Sequence, residues 1–235
     1  MAETRVFNCV AFNSRSVVKK LLDLYFEVIV EGNSPDLIAI CETWLSGDIP
    51  DSFFSLCKGY SVFRQDRLIG KGGGVALLVK TSVVCHSVSV PSDEFFESVC
   101  VLVKSGITNF LFCSVYRPPA KNNACLSSFT KLLNFLESYN LPIVIVGDLN
   151  LPNASWSSMT SSDSFTAELL RDLLSHGFTQ YVNEPTREQN LLDVVLCSER
   201  GLVQDTCVKA PVGNSDHCSV SFKLPLAGSF CSERK

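Results

Sequence analysis

Apolar runs of strand length recur along this chain, and a polar residue follows most of them. The clearest run covers residues 143–146 and is followed by Gly147, Asp148 and, two positions on, Asn150. Continuous apolar runs are typical of strands that are buried on both faces of a sheet. Because alternate side chains of an extended chain point the same way, Asp148 and Asn150 are predicted to leave this strand side by side. An Asx turn that closes the strand is the alternative interpretation.

The other hydrophobic patterns predict a chain with many strands and few helices. Apolar residues that recur every three or four positions predict helices over residues 16–30, 129–139 and 165–174, the last ended by Gly177. Short apolar runs predict the remaining strands, at residues 7–12, 37–41, 60–64, 75–79, 83–90, 98–103, 107–116, 191–197, 203–208 and 219–224. Strands in succession favour largely antiparallel sheets, so we expect an α+β fold of two packed sheets flanked by helices.

The length and hydrophobicity of the chain suit one domain with a substantial core. It has 235 residues, of which 46% are hydrophobic, and no Pro/Gly/Ser-rich linker divides it. We expect the domain to cover residues 1–226, with the polar residues 227–235 as a tail or the start of a linker. Since no apolar stretch is long enough to span a bilayer and the N-terminus does not resemble a signal peptide, we expect an intracellular protein with no membrane partner.

The charge and the cysteine content limit how the chain can contact DNA and in which compartment it is expected. The formal net charge is −4, whereas a protein that binds nucleic acid by charge alone is basic. Any contact with DNA is therefore expected to be local, with modest affinity. The eleven cysteines are an odd number, are scattered, and form no Cys-x-x-Cys pair. They are interpreted as buried thiols in a reducing compartment, and not as a disulfide framework or a zinc site.

Polar residues that suit phosphoester chemistry occur where the predicted strands begin or end. Asn13, Glu42 and Tyr116 each follow an apolar run, and His217 precedes the last one. Asp193 lies inside an apolar run, where a carboxylate is costly unless it is paired, and a nearby imidazolium is a suitable partner. Each of these residues alone has an ordinary interpretation as a turn residue or a solvated polar group. Together with the Gly-Asp-x-Asn sequence, they indicate a catalytic group.

The order of these motifs resembles the endonuclease/exonuclease/phosphatase superfamily over about residues 7–224. The resemblance rests on Asn13, Glu42, Tyr116, Gly147-Asp148-x-Asn150, Asp193 and Ser215-Asp216-His217. It implies a DNase I-like, four-layered α/β sandwich, with two sheets packed face to face and helices outside.

Finer sequence detail resembles one branch of that superfamily, the endonuclease domain of non-LTR (LINE-type) retrotransposons. The similar segments lie at residues 12–16, 42–45, 72–76, 116–119 and 192–193. Arg15 stands where abasic-site repair endonucleases of the superfamily usually carry an aspartate, which favours the retrotransposon branch. In that branch the domain usually precedes a reverse transcriptase, so a longer polyprotein containing one is an implied partner.

The resemblance implies a role for each member of the catalytic group. Asp148 would orient or deprotonate the attacking water, and Asn150 would steady that water and the phosphate oxygens. His217, oriented by Asp193, would donate to the scissile phosphate. Tyr116 would hydrogen-bond a phosphate oxygen or the leaving oxygen. The implied catalytic residues are Asp148, Asn150, His217, Asp193, Tyr116 and Asn13.

The resemblance also implies a metal and a nucleic-acid substrate. Glu42 is the expected ligand of Mg²⁺, with Asn13 nearby and Asp216 as a second carboxylate on the metal side, and Mn²⁺ is a possible substitute. Contacts with the DNA backbone are expected from Thr186, Arg117 and Arg15, with solvation at the surface as the alternative for the two arginines.

The function expected from these residues is Mg²⁺-dependent nicking of target DNA in the nucleus, leaving a 3′-hydroxyl that primes reverse transcription. Two alternatives remain open. One is a phosphatase or phosphodiesterase of the same superfamily that acts on a small or lipid phosphoester, which the acidic charge favours. The other is a catalytically inactive remnant that serves as a binding module, although the intact motifs argue against it.

Overall fold

Two six-stranded sheets form the centre of the computed structural model, which describes residues 5–68, 70–91, 95–106, 108–120 and 123–226. The first sheet contains β1 (Arg5–Asn13), β2 (Leu37–Cys41), β3 (Tyr60–Gln65), β4 (Val75–Lys80), β11 (Gln204–Pro211) and β12 (Cys218–Leu226). The second contains β5 (Val84–Val88), β6 (Glu97–Lys104), β7 (Phe110–Tyr116), β8 (Ile143–Asp148), β9 (Thr179–Gln180) and β10 (Asp193–Cys197).

Both sheets are mixed, and each has one parallel pair near its centre. Their strand orders are β11-β12-β1-β2-β4-β3 and β5-β6-β7-β8-β10-β9. The parallel pairs are β1 with β2 and β7 with β8, while the other pairings are antiparallel. The expectation of mainly antiparallel sheets is confirmed. The parallel pairs matter for the site, because the carboxyl ends of two parallel strands meet at one edge of a sheet.

Aromatic side chains from both sheets fill the space between them. Phe7 and Phe110 contact edge to face with ring centroids 5.6 Å apart, and Phe112 stacks on Phe222 at 6.4 Å. The outer face of the second sheet packs against α2 (Asn123–Glu137) and α3 (Ser164–Ser175), and the helical segment after β1 covers the first sheet. The four-layered sandwich is therefore confirmed.

The helix predicted over residues 16–30 is present, but its turns are of three kinds. A 3₁₀ turn (Val17–Lys19) leads into α1 (Leu21–Asp23), and a π-helix (Leu24–Val30) follows. Wide turns persist to the end, where the amide of Ser34 donates to the carbonyl of Ile29 at 2.7 Å. β-Branched residues in succession at positions 28–30 have low α-helical propensity, which suits this departure from the α-helix.

Several smaller findings complete the fold. A 3₁₀ segment (Asp51–Leu56) and β9 were not predicted, because they are too short for a periodic pattern. Gly177 follows α3 with a φ of 75°, as predicted. None of the ten cysteines in the described ranges forms a disulfide bond. None of the described helices has the length and apolarity needed to cross a bilayer. The predicted tail at residues 227–235 lies outside the described residues.

Candidate active site

Four of the predicted site residues lie at the carboxyl ends of the two parallel strand pairs. Asn13 is the last residue of β1, and Glu42 directly follows β2. Tyr116 and Asp148 are the last residues of β7 and β8 and pair with each other in register. The two sheets thus bring one pair each to the same edge of the sandwich, and direct contacts join the pairs there.

Asn13 is the hub of these contacts. It is completely buried, and its Nδ2 donates to Oε1 of Glu42 and to Oδ2 of Asp148, both at 2.9 Å. Its Oδ1 accepts from the backbone amide of Arg15 at 3.0 Å. Both amide hydrogens and the carbonyl oxygen are therefore engaged, which fixes the side chain and links a carboxylate from each sheet.

A strained turn holds the Glu42 carboxylate. Glu42 and Trp44 have positive φ angles of 51° and 55°, a region that costs energy for residues other than glycine. The indole Nε1 of Trp44 donates to Oε2 of Glu42 at 3.1 Å, so each carboxylate oxygen has one donor. The backbone amide of Trp44 donates to the carbonyl of Gly73 at 2.9 Å, which connects this turn to the glycine-rich loop before β4.

Asp148 and Asn150 do not leave β8 side by side. The chain turns after Asp148, whose Oδ1 accepts from the backbone amide of Asn150 at 2.8 Å, and Asn150 has a φ of 50°. The side-chain Nδ2 of Asn150 donates to the carbonyl of Arg117 at 2.7 Å. The Asx turn is therefore formed, and Asp148 still contributes its other oxygen to the network around Asn13.

Gly147 precedes Asp148 because no larger residue fits there. It has a φ of 132°, and a Cβ atom at this position would lie 2.0 Å from the carbonyl oxygen of Val115 and 2.9 Å from Sγ of Cys41. One contact belongs to the neighbouring strand and the other to the opposite sheet. The glycine therefore allows the two sheets to approach where the site residues meet.

Asp193 and His217 form a buried pair beside Asp148. Asp193 is the first residue of β10 and lies opposite Asp148 in the antiparallel register. The predicted partner of Asp193 is confirmed, since Nδ1 of His217 lies 2.7 Å from its Oδ2. The same nitrogen is 4.0 Å from Oδ2 of Asp148, and Oδ1 of Asp193 is buried with no hydrogen-bond partner in the described chain.

Burial and neighbouring charges shift the pKa values of this group. Burial and the nearby Asp193 raise the pKa of Asp148 from 3.8 to about 7, against the lowering effect of His217. Burial alone would lower the pKa of His217, but its hydrogen bond to Asp193 and the carboxylate charges raise it overall. Burial, followed by the charges of Glu42 and Asp148, raises the pKa of Tyr116. Asp148 is thus a carboxyl group able to exchange a proton near neutral pH.

Two residues expected to touch DNA have buried side chains. Thr186 is fully buried, and its Oγ1 accepts from the amides of Leu192 and Asp193 at 3.1 and 3.0 Å. Arg117 is 2% exposed and donates to backbone carbonyls, at 2.6 Å to those of Leu149 and Asn150. In this structure Thr186 orients the start of β10 and Arg117 stabilises the loop after β8, and their contact with DNA stays a prediction.

Asp216 binds two arginines and lies outside the carboxylate group around Asp148. Arg15 Nη1 and Arg187 Nη2 each approach its Oδ2 at 2.7 Å. Burial alone would raise the pKa of Asp216, but the hydrogen bond and charge of Arg15 and the charge of Arg187 lower it overall. Asp216 is thus paired with two cations in this structure, and its position on the metal side stays a prediction.

Two different groups offer ligands for a metal. Asp148, Asp193 and His217 each bring one ligand atom within 4.8 Å of the others, but all three are buried and already hydrogen-bonded. Glu42 is only partly buried, and its oxygens keep further lone pairs after one donor each. A carboxylate with an adjacent amide and access to water fits the preference of Mg²⁺ or Mn²⁺ for oxygen ligands and retained waters.

Several residues that support the site escaped the sequence reasoning. Lys20 is 6% exposed and its Nζ donates to the carbonyls of Ser14 and Arg15, which holds the loop after Asn13. Arg67 binds Glu97 at 2.6 Å, and its guanidinium carbon lies 5.6 Å from the centre of the Tyr116 ring. Ser215 donates to the carbonyl of Asn13 at 2.7 Å. Only the position of Ser215 beside Asp216 and His217 gave a signal in the sequence.

Comparison with known proteins agrees with this fold. Residues 110–221 match the model of a family described as endonuclease–reverse transcriptase. No curated protein matches the chain closely enough to count as a relative.

Solved structures of similar fold include three DNA-related proteins. The endonuclease domain of TRAS1, a telomere-specific non-LTR retrotransposon, has a TM-score of 0.74 at 16% identity and covers 94% of this chain and 98% of its own. A 3′ phosphatase from Neisseria, bound to a product DNA hairpin, has a TM-score of 0.71 at 16% identity, covering 93% and 99%. An AP endonuclease from Leishmania major has a TM-score of 0.71 at 17% identity, covering 94% and 88%. The resemblance indicated by the motifs is therefore confirmed: the chain has the fold of the endonuclease/exonuclease/phosphatase superfamily, and residues 110–221 match the endonuclease–reverse transcriptase family.

Proposed function

We propose that this chain is a divalent-metal-dependent DNA endonuclease that hydrolyses one phosphodiester and leaves a 3′-hydroxyl and a 5′-phosphate. The observation that carries the proposal is the junction of two networks at one edge of the sandwich. The first joins Asn13, Glu42 and Asp148, and the second joins His217 to Asp193. In this proposal, a proton acceptor, a cationic donor and a metal-binding carboxylate would surround one bound phosphate.

Glu42 would hold the metal ion, with the side chain of Asn13 fixing its carboxylate. When bound there, Mg²⁺ or Mn²⁺ would neutralise charge on the phosphate and its leaving oxygen. The chemistry of the position supports this assignment, because Glu42 offers carboxylate oxygens and the side chains that donate to them are an amide and an indole. Zinc prefers nitrogen and sulfur ligands and suits this position less well.

Asp148 would accept a proton from the attacking water. Its pKa of about 7 gives it both a substantial ionised fraction and a useful basicity at neutral pH. The water oxygen forms a bond to phosphorus as the bond from phosphorus to the 3′ oxygen breaks. Because the turn at Asn150 holds Oδ1 of Asp148 at 2.8 Å from a backbone amide, the carboxylate keeps one orientation during the transfer.

His217 would stabilise the charge that develops on the phosphate. Its Nδ1 is fixed on Asp193, and its Nε2 has no hydrogen-bond partner among the described residues. A raised pKa favours the imidazolium form, which donates to an oxyanion more strongly than a neutral imidazole does. The hydroxyl of Tyr116 would donate to a phosphate oxygen or to the leaving 3′ oxygen.

The 3′-hydroxyl product suits priming of reverse transcription in the nucleus. This part of the proposal is supported by the match of residues 110–221 to a family described as endonuclease–reverse transcriptase and by the structural similarity to a retrotransposon endonuclease domain. A reverse transcriptase domain in the same polyprotein is the proposed partner.

Hydrolysis of a small phosphoester is the second candidate. The net charge of −4 favours it. It would use the same residues, since a phosphomonoester presents the same phosphate oxygens to Glu42 and His217.

Nicking of supercoiled plasmid separates the candidates. We expect open circles to accumulate with Mg²⁺ or Mn²⁺ and not with EDTA, and the nicked ends to be extended by a DNA polymerase without phosphatase treatment. Phosphate release from monoesters without any nicking would favour the second candidate. Absence of both activities in folded, metal-supplied protein would indicate the inactive remnant.

A further inference from the structure

Three charged residues form a bridge beside the catalytic group. Arg15, Arg187 and Asp216, here named the arginine bridge, meet at a single oxygen atom, because both guanidinium groups lie 2.7 Å from Oδ2 of Asp216. Two positive charges therefore share one negative charge. The bridge keeps a net charge of +1 on a chain whose formal net charge is −4.

The first half of the bridge is fixed to the catalytic group through the backbone. The amide of Arg15 donates to Oδ1 of Asn13 at 3.0 Å, and Asp216 directly precedes His217. Lys20 donates to the carbonyl of Arg15 at 3.0 Å and supports its left-handed backbone, which has a φ of 40°. The guanidinium of Arg15 is therefore held at a defined place relative to Asn13 and His217.

Arg187, the second arginine of the bridge, is also held in place through the backbone. Arg187 follows Thr186, whose hydroxyl accepts from the amide of Asp193 at 3.0 Å. The carbonyl of Thr186 accepts from the amide of Cys218 at 2.7 Å, which ties this loop to the start of β12. Arg187 thus belongs to the same rigid surroundings as the Asp193–His217 pair, although no motif in the sequence singled it out.

Both guanidinium groups retain free donors. A guanidinium has five N–H groups, and a single oxygen of Asp216 engages one nitrogen of each arginine. The side chains are 42% exposed for Arg15 and 34% exposed for Arg187, so solvent or a ligand can reach them. Planar guanidinium groups bind phosphate through two parallel hydrogen bonds, which a pair held at fixed spacing is suited to make.

We propose that the arginine bridge binds a backbone phosphate of DNA next to the phosphodiester that is cleaved, with Asp216 holding both guanidinium groups in place. This inference rests on the proposed function. It assigns Arg187 to substrate binding and gives Asp216 a positioning role in place of metal binding. It also explains how an acidic chain binds DNA, because a local contact replaces a general positive surface.

Binding of a short labelled DNA duplex in EDTA tests the bridge apart from catalysis. Arg15→Gln and Arg187→Gln are each expected to weaken binding about tenfold and to reduce the slope of log affinity against log salt by about one. Glutamine retains a hydrogen-bonding side chain, which limits loss of folding, and thermal unfolding checks each variant. Arg171→Ala, which removes a charge from an exposed position of α3, is the matched control.

Asp216→Asn distinguishes phosphate binding from a purely structural ion pair. Asparagine keeps a side-chain oxygen that can hold the two guanidinium groups but removes the negative charge that competes with phosphate for them, so the variant is expected to bind the duplex at least as tightly as the wild type. The proposal would be overturned if the arginine variants bound like Arg171→Ala, or if Asp216→Asn lost as much affinity as they do. If the wild type nicks plasmid and the bridge variants bind DNA normally, phosphate binding by the arginine bridge is refuted but the proposed endonuclease activity is not. If the wild type neither binds DNA nor nicks plasmid, both proposals are refuted.

Discussion

At the scale of single residues, Asn13 decides how the site is arranged, because its two amide hydrogens hold carboxylates from different sheets. One hydrogen binds Glu42 and the other binds Asp148, each at 2.9 Å. Removing the amide leaves two carboxylates without their shared donor, which costs more than the loss of a solvent-exposed hydrogen bond. Asn13 therefore holds two acidic groups of like charge together through one neutral side chain.

Asp148 is predicted to destabilise the folded protein above neutral pH. Its pKa is about 7 in the folded state and 3.8 as a free group, so the folded state holds its proton more tightly between these values. The free energy of unfolding of the wild type therefore falls as pH rises from about 4 to above 7. Asp148→Asn should be more stable than the wild type at pH 8, by roughly 1–3 kcal/mol, and this difference should shrink towards pH 4. Urea unfolding in EDTA measures it.

Asp216→Asn serves as a control, because it is expected to change the free energy of unfolding in the opposite direction. The arginines lower the pKa of Asp216, so its contribution to stability is present above its ordinary pKa and is lost as pH falls through the lowered value. Its side chain is 40% exposed, so the variant should lose no more than about 1 kcal/mol at pH 8. If both substitutions changed the free energy of unfolding equally at pH 8, the pKa shift assigned to at least one of the two carboxyl groups would be contradicted.

Asp193→Asn is predicted to change the pH dependence of the reaction. The hydrogen bond from His217 to Asp193 helps to raise the pKa of His217, so the variant histidine should lose its proton at lower pH. The basic limb of the pH–rate profile should move to lower pH, with a fall of roughly 10²–10⁴-fold in kcat/KM at pH 8. A variant with a uniformly lower rate and an unmoved basic limb would indicate that His217 does not act as the cation.

At the scale of secondary structure, the ends of the strands position the candidate site residues, and Gly147 shows how closely the strands approach one another there. A methyl group there would lie 2.0 Å from the carbonyl of Val115, and its φ of 132° is costly for other residues. Gly147→Ala should lose roughly 3 kcal/mol or more of unfolding free energy. Gly201→Ala, at a φ of 80° with nothing within 4 Å of the new methyl, is the control and should lose about 1–2 kcal/mol. Similar losses would show that the sheets can separate at the site.

The elements themselves were largely predictable, since apolar runs mark strands such as β8 and periodic patterns mark α3. The directions of the side chains beyond the strand ends could not be predicted from the sequence. Thr186 and Arg117 were expected to contact DNA, and in this structure their polar atoms satisfy buried backbone groups that only the folded chain brings near. Arg187 was missed for the same reason, because its partner lies 29 positions away in the sequence.

At the scale of the whole molecule, metal binding should couple the site to global stability. A ligand that binds only the folded state stabilises it in proportion to RT ln(1 + [L]/Kd). Mg²⁺ is therefore expected to raise the unfolding temperature of the wild type, and Glu42→Gln should abolish most of that rise. Glu137→Gln, on the last residue of α2, should leave it unchanged. An equal rise in both variants would place the metal elsewhere.

The arrangement of the whole molecule explains why the candidate site needs both sheets. Glu42 follows β2 of the first sheet and Asp148 ends β8 of the second, so neither sheet alone contains both the proposed metal ligand and the proposed proton acceptor. His217 likewise precedes β12 of the first sheet, while its partner Asp193 begins β10 of the second. The active arrangement exists only when the sandwich is complete.

Plasmid nicking by the wild type and Asp148→Ala, compared with Mg²⁺ and with EDTA, tests whether this site catalyses metal-dependent cleavage of DNA. We expect metal-dependent nicking by the wild type and by Arg171→Ala, and a rate at least about 10²-fold lower for folded Asp148→Ala. Nicking by Asp148→Ala at the wild-type rate, or nicking that EDTA does not affect, would contradict this expectation.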